Sequence, residues 1–220
     1  MLIGMHSGDA PSAKLVPSIK GTSSHAIVDT AKSGNKAIEL TGFFDATKSG
    51  DEAKHYACIM NYPDYNRRIY YPEAIYFGLW QKQLHNCYAS FHCVYISGVR
   101  FDLVLRTSGK LTLRYRVNNK YYEKTLVSQL DTNWHHLAWG MTKISSTQIV
   151  IEGFFDRQKK CEAVFDYAAP ENGGAWLFAG YYHMWPVESI TTPATMLLDN
   201  IRWGTTVADI MPRAPRITRF

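Results

Sequence analysis

Two adjacent histidines, His135 and His136, stand in the stretch WHHLAWGM at 134–141. Imidazoles are common metal ligands and acid–base groups, so the doublet is the first place to look for chemistry. The surrounding residues read as a strand, where successive side chains leave on opposite faces, so the pair cannot chelate one ion by itself. The expectation is structural: one histidine hydrogen-bonded in or near the core, the other on the opposite sheet face. The cysteines, Cys58, Cys87, Cys93 and Cys161, lack Cys-x-x-Cys spacing, which argues against a zinc knuckle or redox pair. They read as free, mostly buried thiols, with up to two bridges left open by the spacing. The sequence has no glycine-rich phosphate loop and no Gly-x-Ser-x-Gly elbow.

Two segments carry binding chemistry instead. NYPDYNRRIYYPE at 61–73 holds Tyr62, Tyr65, Tyr70 and Tyr71 with Arg67 and Arg68. GGAWLFAGYYHMWPVES at 173–189 holds Tyr181, Tyr182, His183 and Trp185. Aromatic rings accept the apolar faces of sugars while Arg and His hydrogen-bond hydroxyls, and Tyr and Arg also favour protein interfaces. Both segments are expected to be loops that form a glycan cleft or a partner surface.

The elements that position these residues are strands. Aromatics make up 14% of the 220 residues, and β-branched residues are frequent. Strand candidates separated by turn clusters run over 24–30, 36–44, 55–62, 73–83, 87–97, 99–107, 110–118, 120–128, 134–143, 146–156 and 194–204. In KLTLRYRVN, Leu111, Leu113, Tyr115 and Val117 alternate with Thr112, Arg114 and Arg116, one buried face and one wet. The links SG at 108–109 and NN at 118–119 suit tight hairpins, giving a meander. No segment holds a helical stripe for three turns. About a dozen strands, as a rough count, make an all-β, two-sheet antiparallel jelly-roll sandwich the expected architecture.

The net charge of +5 is mild and partly carried by Arg213, Arg216 and Arg219, so nucleic acid is not an expected partner. The N-terminus lacks the basic n-region of a secretory signal, and no apolar stretch reaches the roughly 18 residues of a membrane span, so no membrane insertion is expected.

DTNWHHLAWGMTKISSTQIVIEGFF and MLLDNIRWGTTVADI, with the earlier SGNKAIEL, resemble the laminin-G-like, concanavalin-like jelly rolls over roughly residues 24–210. In that group a Trp-His-x-Val/Leu-Ala strand, a polar turn and a strand ending in an Asp/Glu-Gly hairpin recur. Here these are Trp134, His135, Leu137, Ala138 and Glu152-Gly153. The resemblance implies that the histidine strand is architectural. It also implies a structural calcium, for which Asp199 matches the closing-strand aspartate. No other cofactor is implied.

Glucanases on this fold need Glu-x-Asp-x-x-Glu on one strand, and the pattern is missing; IEGFFD sets Glu152 and Asp156 across a hairpin turn. Alginate-type polysaccharide lyases use a Gln-x-His strand, matched by Gln83, Leu84 and His85, and a late Tyr-Lys-x-Gly strand with no counterpart here. The expected organisation is an N-terminal arm over 1–23, a jelly roll over 24–206 and a basic Pro/Arg-containing tail over 207–220. The expected function is non-catalytic: a bacteriophage virion module, on tail or capsid, that binds glycan or neighbouring subunits, including further copies in a homo-oligomer. A polysaccharide lyase is the enzymatic alternative. No catalytic residue is assigned.

Overall fold

The structure is a computed structural model. It describes residues 24–32, 36–42, 73–84, 99–106, 108–168, 179–180 and 194–212 in full, and the backbone alone at 16–20, 56–60, 69–70, 89–96, 174–178 and 181–183. In chain order the strands are β1 (Val16–Lys20), β2 (Ser24–Val28), β3 (Ala37–Gly42), β4 (Tyr56–Met60), β5 (Ile69–Tyr70), β6 (Ala74–Gln83), β7 (Ala89–Ile96) and β8 (Val99–Leu105). They continue as β9 (Leu111–Val117), β10 (Lys120–Val127), β11 (Trp134–Lys143), β12 (Gln148–Phe155), β13 (Gln158–Asp166), β14 (Gly174–His183) and β15 (Ala194–Gly204), before a one-turn helix α1 (Val207–Ile210).

Among the described residues the strands make two sheets. One is eight-stranded, in the order β1-β4-β14-β7-β8-β9-β10 with β5 added on β14; the other is seven-stranded, β13-β12-β11-β6-β15-β3-β2. Every pairing is antiparallel. This is the expected jelly-roll sandwich. Val16–Lys20, inside the expected arm, pairs with β4, and Val207–Ile210, at the start of the expected tail, forms α1.

Alternation builds the core. Val99, Phe101, Leu103 and Leu105 of β8 and Leu111, Leu113, Tyr115 and Val117 of β9 face Ile75, Phe77, Leu79, Leu137, Trp139 and Met141 of the other sheet in one cluster. Trp139 is fully buried, its ring centroid 6.0 Å from that of Phe77. Truncating it to Ala removes about 3–5 kcal/mol of packing. The meander turns follow from residues that tolerate a left-handed backbone: Gly109 (φ 81°), and Asn118 and Asn119 (φ 49° and 63°).

Two expectations need correction. Within the segment 173–189, Gly174–His183 is not a loop but a strand between β4 and β7, and the rest of the segment lies outside the described residues. Its apolar run without alternation hid that assignment. Nor does β12 end at Glu152-Gly153: it runs to Phe155, with a bulge at Gly153/Phe154 and the turn at Asp156 and Arg157 (φ 48° and 69°).

The helix packs on the outside of the seven-stranded sheet. Thr206 and Asp209 form a reciprocal capping box, and Ile210 joins Tyr76, Ala138 and Phe154 in a second apolar cluster. Close approach is possible because Gly78 has no side chain: a Cβ there would lie 2.7 Å from the Ile210 carbonyl oxygen.

Candidate functional site

The histidine doublet splits as strand geometry requires. His136 is buried on the α1 side, edge-on to Trp80 at 5.4 Å, and its Nε2 donates to the Ile210 carbonyl at 3.2 Å. Burial pushes its pKa down to about 4, so it is neutral. His135 stacks on Phe155 at 4.8 Å. Its Nδ1 lies 2.8 Å from Asp156 Oδ2 and its Nε2 2.9 Å from Asp131 Oδ1. Burial alone pulls its pKa down, but the bonds to Asp156 and Asp131 outweigh it and hold it above the ordinary value. Asp156 Oδ1 also accepts the His136 backbone N–H, so the doublet ties the 156–157 turn to β11. Both histidines have structural partners.

Asp199 accepts the Lys32 backbone N–H at 3.0 Å, and Lys32 Nζ lies 4.9 Å from the Trp80 ring centroid. Calcium takes six to eight oxygens, yet no group of three or more His, Cys, Asp or Glu among the described residues could hold a metal. Through its bond to Lys32, Asp199 anchors the loop after β2. Gln83 is equally internal: it accepts from Gln81 Nε2 at 3.1 Å, both side chains are buried, and its Cα partner is the core residue Met196. His85 lies outside the described residues.

Of the aromatic segments, Tyr62, Tyr65, Arg67, Arg68, Tyr71 and Trp185 lie outside the described residues. Tyr70 belongs to β5, and Tyr181, Tyr182 and His183 to β14. The register pairs Tyr181 with Ala57 of β4, and His183 with Ser90 of β7. Ser90 in turn pairs with Val104, and Val104 with Thr112. Cys161 is a free, half-buried thiol whose pKa burial pushes up to about 11.

The concentration of chemistry lies elsewhere, on the face of the eight-stranded sheet turned away from the core. The alternation that sends Phe101 and Leu113 inward sends Arg100, Asp102, Arg114 and Arg116 outward. Asp102 pairs with Arg114, and Arg114 with Glu123; Arg100 pairs with Arg116, and Arg116 with Tyr121. Asp102 Oδ1 and Oδ2 accept from Arg100 Nε at 2.9 and 3.0 Å, and Oδ2 also accepts from Arg114 Nη2 at 2.9 Å. The Asp102 side chain is only 2% exposed. At the outer edge, Arg106 Nη2 donates to Glu123 Oε2 at 2.7 Å and Arg116 Nη2 to Asn119 Oδ1 at 2.7 Å. Four arginines against two carboxylates leave a positive surplus. Arginine forks arranged this way suit carboxylates, which they bind with two parallel bonds. On the other side of β8, the register continues the Arg100 row to Tyr95 and Trp176.

Sequence reasoning placed Arg114 and Arg116 on a wet face but did not single them out. The available signal was that every outward position of RFD and LRYR is charged.

No protein-family model matches this sequence, and no curated protein does. Solved structures do. An endo-β-1,4-glucuronan lyase from the fungus Trichoderma reesei superposes with a TM-score of 0.62 at 14% identity, over 88% of this chain and 92% of that one. An alginate lyase from a Chlorella virus gives 0.56 at 8% identity, over 86% and 92%. A cellulose-induced protein gives 0.56 at 12% identity, over 88% and 92%. At these identities the likeness is one of fold, and the chain has the fold of a two-sheet jelly-roll sandwich. None of the three is described as a laminin G domain. The expectation that the chain is not an enzyme is corrected by these matches. Two of the three are polysaccharide lyases, so a missing glucanase signature does not make this architecture non-catalytic. No helix among the described residues is long and apolar enough to cross a membrane.

Proposed function

We propose that the protein is a polysaccharide lyase that cleaves acidic polysaccharides on the outer face of the eight-stranded sheet. The observation that carries this reading is the pair of arginines, Arg100 and Arg114, organised on the buried carboxylate of Asp102. In a lyase, a base removes the proton beside the uronate carboxylate, a carbon–carbon double bond forms, and the bond to the leaving sugar oxygen breaks. An acid then protonates that oxygen. The proton is acidic enough only when the carboxylate charge is neutralised, which pre-oriented guanidinium groups do at no reorganisation cost.

Arg114 is the group to meet the reacting carboxylate, and Asp102 is a positioning residue that holds it. Tyr95 and His183 occupy register positions in line with this face and are the residues to test for proton transfer. The glucuronan and alginate lyases of the same fold support the reaction class. The tyrosine segments keep a glycan-binding role within this reading.

The test is incubation with polyglucuronate and with its carboxyl-reduced, neutral counterpart, following absorbance of the unsaturated sugar. Product from the acidic polymer alone is expected. Product from neither polymer, or equally from both, overturns the proposal.

A further inference from the structure

Tyr121 and Tyr122 are neighbours on β10 with opposite surroundings. Tyr122 stacks on Tyr115 at 5.6 Å and meets Phe165 at 5.0 Å. Tyr121, on the other face, is 60% exposed, and its ring centroid lies 5.8 Å from the guanidinium carbon of Arg114 and 5.5 Å from that of Arg116. The ring lies beside two guanidinium groups and keeps much of its surface open to a ligand.

Both arginines are fixed independently of the ring. Arg114 is tied to Asp102 on β8, and Arg116 to Asn119 in the adjoining turn, where the left-handed backbone of Asn119 (φ 63°) sets its position. Two residues along the same face, Glu123 is paired with Arg106. Glu123 stands opposite Arg114 in the register, so the guanidinium beside Tyr121 that is clear of it is that of Arg116, the direct Cα partner of Tyr121. An aromatic surface flanked by oriented guanidinium groups suits a sugar ring that carries a carboxylate.

We infer that Tyr121 and Arg116 form a binding subsite for one uronate unit at the β10 edge, beside the unit whose carboxylate Arg114 meets. The inference rests on the proposed lyase reading for its substrate class and adds where the neighbouring unit is held. Such a subsite acts through binding shared by ground and transition states, so it lowers KM and leaves kcat unchanged.

The experiment uses the full chain with Tyr121→Ala, Arg116→Gln and, as a control for the opposite face, Tyr122→Leu. Calorimetric binding of alginate hexasaccharide and of cellohexaose is measured beside lyase kinetics on the alginate oligomer, with thermal melts confirming that each variant folds. The expected result is alginate oligomer affinity about tenfold weaker in Tyr121→Ala and in Arg116→Gln, the loss of roughly one good contact. KM rises to match, kcat is unchanged, cellohexaose does not bind, and Tyr122→Leu binds as wild type does. Unchanged affinity in both folded edge variants overturns the subsite, as does a fall in kcat at constant KM or equal binding of cellohexaose. A wild-type protein that binds alginate oligomer through Tyr121 without cleaving it sinks the lyase reading and leaves the subsite standing. One that binds no acidic oligomer sinks the subsite.

Discussion

Asp102 on β8 and Arg114 on β9 are direct Cα partners, joined by a 2.9 Å bond from Nη2 to Oδ2 with the carboxylate almost wholly buried. Because Arg100 reaches the same carboxylate, Asp102→Asn leaves two largely buried guanidinium groups without their counter-charge. Breaking such a pair costs about 3 kcal/mol, whereas Arg106→Gln, which breaks the half-exposed pair with Glu123, costs at most about 1 kcal/mol. Urea denaturation of the two variants measures the difference. Equal midpoints would show that the buried network adds nothing to stability.

The histidine doublet gives stability two opposed pH limbs. His135 has a raised folded pKa, so its contribution is fully present below the unfolded value of about 6.5 and is lost as pH rises through the higher folded value. His136 has a folded pKa of about 4, so its contribution is present above about 6.5 and is lost as pH falls toward 4. Melting temperature across this range should therefore lose its alkaline limb in His135→Asn. The acid limb should flatten in His136→Gln. A wild-type profile retained unchanged in His135→Asn contradicts the double carboxylate clamp.

Gly78→Ala drives a methyl group against the backbone of Ile210, 2.7 Å from its carbonyl oxygen, and toward His136 Nε2 at 3.3 Å. The helix must lift, at a cost of roughly 1–3 kcal/mol. Hydrogen exchange at Ile210 and Met211 should accelerate in the variant, and unchanged protection there would show that the sheet absorbs the methyl.

On the outer side of the seven-stranded sheet, the Tyr76 hydroxyl donates to Glu152 Oε2 at 2.6 Å, while Lys159 donates to Glu152 Oε1 at 2.9 Å. Burial first, then the Glu152 bond, pushes the Tyr76 pKa up to about 12, so the hydroxyl remains a donor at ordinary pH. Tyr76→Phe should cost about 1–2 kcal/mol of stability and leave polysaccharide cleavage untouched. A large loss of activity in a folded Tyr76→Phe would move the site to the wrong sheet.

Most of the fold was legible because its strands announce themselves by period two and its turns by Asn-Asn and Ser-Gly. The β8–β9–β10 meander came out nearly residue for residue. β13 escaped notice: Gln158–Asp166 is a charged edge strand, exposed at alternate positions, and buries too little to show an apolar face. β14 escaped for the opposite reason, as an apolar run whose leading glycines and many rings suggest a loop. The site was only half legible. Alternation shows that Arg114 and Arg116 point away from the core. That Asp102 meets Arg114, and Tyr121 meets Arg116, depends on cross-strand register, which hairpin geometry sets within the folded sheet. Gln83 shows the reverse hazard, a short catalytic-type pattern whose glutamine proves to be an internal hydrogen-bond acceptor.

The central claim is that this sheet face cleaves acidic polysaccharide with the help of its arginines. The rate of unsaturated-sugar formation from polyglucuronate by the wild type and by Arg114→Gln, with melts confirming the fold of both, tests it most directly. The account predicts product from the wild type and a kcat/KM at least about 100-fold lower in the variant, the scale expected when charge stabilisation at the reacting carboxylate is removed. No product from the wild type, or an undiminished rate in folded Arg114→Gln, would contradict it.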